Sequence, residues 1–185
     1  METYDALMTR RSVPKLTDRA PDRATVQRLI DAGTRAPSHH LTQPWRFVVL
    51  AGDARKELAE AWIRGAENQG KDTKGLAGKP LRAPVIICVI ETPHLENPKV
   101  VEIEEHYAVG AAMQNILLAA HDTGLGAMLR TGPIVSMPEV KEFLEVSEGE
   151  MIAGFIYVGY APENDVERPL GRRTPAEQLT KWRGW

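Results

Sequence analysis

The chain has 185 residues, enough to bury a sizeable core in one domain, and a single domain over residues 1–185 is expected. Hydrophobic residues at 43% and charged residues at 26% are ordinary for a soluble globular protein, and no apolar run approaches the roughly 20 residues that cross a bilayer. A formal net charge of −2 argues against a chain that coats nucleic acid, which draws on a basic excess over the whole domain. The opening METYDALM has no basic start followed by an apolar block, so the expected compartment is the cytoplasm.

After a short amphipathic start, Arg10, Arg11 and Ser12 supply two guanidinium forks and a hydroxyl. Such groups suit a phosphate or the carbonyl oxygens of a planar ring, and they also suit a charged helix end. From Asp22 to Arg35 apolar residues recur at helical spacing, with Asp22 as the N-cap. APSHHLTQPWRFVVL, residues 36–50, then places two histidines, a glutamine and a tryptophan between that helix and a short β-branched strand. Pro37 and Ser38 suffice for the turn, so the remaining polar residues are surplus to it. Pro44 and Trp45 read as a packed strand entry, and His40 as exposed.

A helix to about Glu67 follows, and then a Gly-, Lys- and Pro-rich segment, residues 68–84, long enough to cover a ligand. PVIICVIE reads as a buried strand in which Cys88 is a core residue. A single cysteine leaves no intrachain disulfide and no cysteine-based metal cluster. The long helix near His106 to Thr123 carries small and apolar residues round most of its circumference, so it is central or lies in a subunit interface. Gly124 and Gly126 end it and AMLRTG is extended. SMPEVKEFLEV starts a helix with Ser136 as N-cap, Pro138 in the first turn and Glu139 at capping-box spacing. MIAGFIYVGY is another strand. Helices and strands mix without regular βαβ alternation, which gives an α+β fold with a central mixed or antiparallel sheet flanked by helices.

No GxSxG elbow, P-loop or HExxH motif occurs, and no metal site is expected. GLGAMLRTG, residues 124–132, follows a helix and lacks the strand-to-helix setting of a dinucleotide fingerprint. Charge is unevenly spread. Residues 1–46 hold eight Lys/Arg against five Asp/Glu, and residues 168–183 hold five against one. These basic ends are solvated surface or, if they meet in space, an anion site.

RRS at 10–12, the helix-exit motif APSxxxxQPW with Gln43, Pro44 and Trp45, the GLG segment and the terminal RRTP together resemble the nitroreductase-like family of FMN-dependent oxidoreductases. The likeness covers nearly the whole chain, and the length is similar to that of the short bacterial NAD(P)H nitroreductase branch. The resemblance implies a homodimer with FMN at the subunit interface. By matching positions, Arg10 and Ser12 would contact the flavin and its phosphate with Arg11 beside them. Arg35 and His39 would reach the FMN held mainly by the other subunit, and His39 and Gln43 would form one wall of a flavin pocket. Leu129, Arg130 and Thr131 would line the ring, partly through backbone amides, and Arg172 or Arg173 would close the phosphate site. Many members have an asparagine where this chain has Leu41, which leaves substrate preference open.

The resemblance further implies that the flavin N5 carries the chemistry and that no side chain is a nucleophile. NAD(P)H would be the co-substrate, and a nitroaromatic or quinone the small acceptor, in a ping-pong cycle. Alternatives are an FMN-binding or sensing protein without turnover, and a dehalogenase-like or flavin-consuming member of the same scaffold.

Overall fold

A computed structural model describes residues 1–165 and 173–185. The elements run α1 (Thr3–Thr9), α2 (Arg23–Gly33), β1 (Trp45–Ala51), α3 (Ala54–Asn68), β2 (Val85–Glu91), α4 (Glu102–Asp122), β3 (Gly126–Arg130), α5 (Pro138–Phe143), β4 (Met151–Gly159) and α6 (Ala176–Leu179). The strands form one antiparallel sheet in the order β1-β2-β4-β3. A single parallel bridge, Ser12 to Ala127, adds the residues after α1 to the outer edge of β3.

Strand β2 lies inside the sheet, and all of its residues are buried. Because side chains alternate along a strand, Ile86, Cys88 and Ile90 enter one core while Val85, Ile87 and Val89 enter the other. The first core packs against α3 and α5 through Leu58, Ala61 and Val140. The second packs against α2 and α4 through Val26, Leu29, Val109 and Ile116. Helices on both faces of an antiparallel sheet are the expected α+β arrangement, and they explain why the Cys88 thiol is inert: burial pushes its pKa up.

Local chemistry sets the helix starts. The amide of Thr25 donates to Asp22 Oδ1 at 2.7 Å, the expected N-cap of α2. Helix α4 begins at Glu102 rather than near His106, since Glu102, Glu104 and Glu105 in the first turn favour its positive end. Ser136 is not an N-cap. It closes a 3₁₀ turn by donating to Pro133 O, and Met137 stands at the N-cap of α5 without a side-chain bond. Glu139 does not close the expected capping box but turns toward α3 and accepts from Asn68 Nδ2 at 2.5 Å. The segment 68–84 differs from a free cover: Leu76 and Ala83 are buried in the first core, and Lys79 lies 4.6 Å from the Trp62 ring centre. Its hydrophobic anchors fix it on the α3 side.

At the other end of α4, Gly124 takes a φ of 74°. The Leu125 amide donates to Ala120 O and the Gly124 amide to His121 O, which is a Schellman cap. A Cβ on Gly126 would come within 2.6 Å of Leu16 Cδ2. Turn and packing therefore account for GLG. Among the described residues no helix is long and apolar enough to cross a membrane.

Helix α2 closes on α4 at Gly33, where an added Cβ would lie 2.8 Å from Ile116 Cγ1 and 3.4 Å from Ala112 O. Glycine to alanine in a helix ordinarily gains about 0.5–1 kcal/mol, but overpacking costs roughly 1–3 kcal/mol. Gly33→Ala is expected to lower the urea midpoint, by about 1 kcal/mol of stability; an unchanged or raised midpoint would show that the two helices separate freely.

Candidate functional site

A cavity of about 510 Å³ opens where α1 ends and α4 turns into β3. Thr9, Arg10 and Arg11 line one side, and His121 with Gly124 to Ala127 lines the other. Arg11 is held: its Nη1 donates to Asp165 Oδ2 at 3.0 Å and its Nη2 to Asp165 O. Arg10 is half-buried and has no ion-pair partner among the described residues. Burial and then the charge of Arg173 lower its guanidinium pKa from the usual value. The two basic ends of the chain therefore meet electrostatically, and the charges they bring together are of one sign. Arg172 lies outside the described residues.

Ser12 is exposed, and its backbone lies on the edge of β3. The Val13 amide donates to Ala127 O, so the carbonyl of Ala127 points away from β4. Backbone groups alternate along a strand, which sends those of Leu129 outward on the same open edge. The Arg130 side chain reaches the segment that follows Ser12 along that edge: its Nη2 donates to Pro14 O at 3.2 Å, and its guanidinium lies 5.1 Å from the Tyr157 ring centre. Burial pushes the Tyr157 hydroxyl up to about 12. Thr131 is exposed just beyond the strand.

The helix-exit motif lies at the far end of α4. Residues His40, Leu41 and Gln43 have φ of 53°, 56° and 51°, values uncommon outside glycine. Two bonds to the first turn of α4 hold this conformation. Glu104 Oε2 lies 2.6 Å from His39 Nδ1, and Thr42 Oγ1 donates to Glu105 Oε1 at 2.7 Å. The second oxygen of Glu105 accepts from the His94 amide at 3.1 Å, so a carboxylate with 0% exposure ties two loops together. Beside it His106 Nδ1 lies 2.5 Å from Glu91 Oε1, and burial raises the Glu91 pKa against the opposing effect of that bond. His39 and Gln43 remain exposed, with His39 stacked on His40. Arg35 is exposed and lines a separate cavity of about 350 Å³ with Asn115 and Asp122.

From Glu104 to His121 the helix rises about 25 Å at 1.5 Å per residue. Arg10, Arg11 and Arg173 gather at one end and His39 and Gln43 at the other. Within one chain a single small ligand cannot touch both groups. Two residues escaped the reading from sequence. Glu105 shares the spacing of Val109, Ala112 and Ile116, so an acidic residue in a buried register was the available signal. His121 stands in the last turn of α4, immediately before the glycine turn of the cavity.

The profile of the Nitroreductase family matches residues 7–160. The chain belongs to the nitroreductase family. Among relatives, YdjA of Escherichia coli strain K12, named as a candidate NAD(P)H nitroreductase, is 35% identical over 162 residues, 86% of this chain and 88% of that protein. A nitroreductase-like family protein of Bacillus cereus superposes with a TM-score of 0.85 at 28% identity, covering 100% of this chain and 97% of the other. A candidate nitroreductase of Desulfovibrio desulfuricans, crystallised in complex with FMN, gives a TM-score of 0.77 at 27% identity, covering 100% and 98%. This nitroreductase shares the whole fold with both.

The clamp on the helix-exit motif has a measurable energy. Thr42→Val leaves a buried carboxylate oxygen of Glu105 without its donor and is expected to cost about 1–3 kcal/mol in urea denaturation. Thr42→Ser, which keeps the hydroxyl, should cost much less; equal losses in the two variants would mean that the bond contributes nothing.

Proposed function

We propose that this chain is an FMN-dependent NAD(P)H oxidoreductase that reduces a small acceptor such as a nitroaromatic or quinone, working as a homodimer. The observation that carries the reading is the half-buried Arg10, without a carboxylate partner among the described residues, beside Arg173 at the mouth of a cavity. Converging cations without a counter-charge among the described residues fit a phosphate monoester, and the bidentate fork of arginine suits its oxygens. The FMN complex of the Desulfovibrio relative supports the same reading.

Arg10 and Arg173 would hold the phosphate, with Arg11 fixed beside them by Asp165. Ser12 and the outward backbone groups of Leu129 and Thr131 would follow the ligand along the open edge of β3 toward its ring. When bound, FMN would supply the two-electron chemistry that links NAD(P)H to the acceptor in a ping-pong cycle. The chain contributes binding, orientation and positive potential, and no side chain acts as a nucleophile. His39 and Gln43 would belong to the flavin site of a second copy, since α4 holds them too far from Arg10 in their own chain; Arg35, which lies nearer the carbonyl end of α4 with Asn115 and Asp122, would reach a second copy from there.

Exposed apolar surface supports the dimer. Tyr4 and Met8 on α1, Ile103 and Tyr107 on α4, Leu41 in the helix-exit motif, and Trp182 and Trp185 in the tail are all open in the single chain. Such patches mark interaction surfaces in soluble proteins.

Arg10→Ala removes a charge-assisted contact and is expected to weaken FMN binding by about 1.5–3 kcal/mol, roughly tenfold to a hundredfold in Kd. Quenching of flavin fluorescence measures this, with riboflavin as the control whose affinity should change little. An unchanged FMN affinity, together with an unchanged rate of reduction by NAD(P)H, would contradict the assignment.

A further inference from the structure

The family assignment gives no role to His121, yet this ring faces Arg10 and Arg11 across the cavity. Its Nε2 lies 2.8 Å from Thr9 Oγ1, and that hydroxyl donates to Asp5 O at 2.6 Å. The other acceptor in reach of the hydroxyl is Met1 Sδ at 4.0 Å. A hydroxyl has one hydrogen, so toward His121 it accepts. The ring hydrogen therefore sits on Nε2, and Nδ1 is the free lone pair of the neutral ring.

The charges around the ring come from three helices. Arg10 and Arg11 at the end of α1 are positive, and Asp122, the next residue of α4, is negative. Asp122 is itself paired with the N-terminal ammonium of Met1 at 2.8 Å and feels Arg28 of α2. Gly124 to Ala127 bring no charge. Burial first, then Arg10 and Arg11, hold His121 below the ordinary imidazole range, against the pull of Asp122. The carbonyl end of α4 also favours a cation there. Near neutral pH the balance leaves the ring neutral, but an anion beside the arginines would cancel the charge that disfavours its protonation.

We propose that His121 is a proton-linked ligand of this cavity: when a phosphoryl dianion settles beside Arg10 and Arg11, Nδ1 takes a proton from solvent and His121 becomes a third cationic donor. This deepens, and rests on, the reading of the cavity as the phosphate end of a flavin site. The same chemistry would take the phosphate of FMN or free inorganic phosphate. Anion affinity should then rise as pH falls through the range in which the liganded ring titrates, and the gain should saturate below the range of the unliganded one.

The test is an NMR titration of the histidine Cε1–H signals of the full-length protein, freed of nucleotide, between about pH 5.5 and 8. Sulfate is the first probe because it stays a dianion throughout; inorganic phosphate, FMN and riboflavin follow, and His121→Gln or His121→Asn identifies the signal. Sulfate, phosphate and FMN are each expected to raise the His121 midpoint by about one unit, matching a roughly tenfold gain in sulfate affinity across the window. Riboflavin, which lacks the phosphate, should leave the midpoint in place. In His121→Gln the pH dependence of sulfate affinity should disappear.

A midpoint unmoved by bound sulfate or FMN, or a variant that keeps the wild-type pH dependence, would overturn the proposal, as would failure of all three anions to bind. If sulfate and phosphate move the midpoint while FMN binds no better than they do, the flavin reading fails and the role of His121 stands. If FMN binds more tightly than riboflavin and the midpoint stays put, the flavin reading survives and the role of His121 is lost.

Discussion

Helix α4 is a rod of 21 residues, about 30 Å long, packed across one face of the sheet, and its length divides the polar equipment of this protein into two sets. One set, with Arg10, Arg11, Arg173 and His121, gathers at its carbonyl end. The other, with His39, Thr42 and Gln43, is pinned to its amino end through Glu104 and Glu105. A buried helix of this length cannot bend enough to bring its ends together, because it packs on the second core through Val109, Ile116, Leu117 and Ala120. In the dimer we propose, a site that uses both sets is assembled from two copies of the chain, each lending the end that the other lacks. Apolar side chains exposed on α1, on α4 and in the tail give those copies something to bury.

The two ends of the rod are built on opposite electrostatic logic. At the amino end the carboxylates of Glu104 and Glu105 suit the helix dipole and are satisfied by hydrogen bonds, so they fix the loop conformation that His40, Leu41 and Gln43 would not adopt freely. At the carbonyl end the cations are crowded and under-compensated: Arg11 has Asp165, while Arg10 meets another arginine. The first arrangement is self-sufficient, and it shapes a surface. The second improves whenever an anion arrives, which is the physical content of a binding site.

Much of the scaffold could be read from the residues because it rests on local rules. The continuous apolar run of β2, the Asp22 cap of α2 and the glycine stop after α4 need no knowledge of neighbours. Other features depend on tertiary context. Ser136 has the right spacing for a capping box, but the 3₁₀ turn before α5 takes its hydroxyl. Residues 68–84 have the composition of a free loop, yet Leu76 finds a place in the core and anchors them. The start of α4 was hidden because its first turn is acidic rather than apolar. Of the site, the arginines stood out as paired guanidinium forks and the helix-exit motif as residues surplus to turn chemistry. Glu105 and His121 did not, since a buried carboxylate and a helix-end histidine acquire meaning only from what folds against them.

The central claim is that the converging arginines hold a flavin that pyridine nucleotide can reduce. An anaerobic absorbance spectrum of the FMN-loaded protein, taken before and after a stoichiometric addition of NADPH and then NADH, tests it most directly. The account predicts that the flavin band bleaches with at least one of the two; a bound flavin that stays oxidised with both would contradict it.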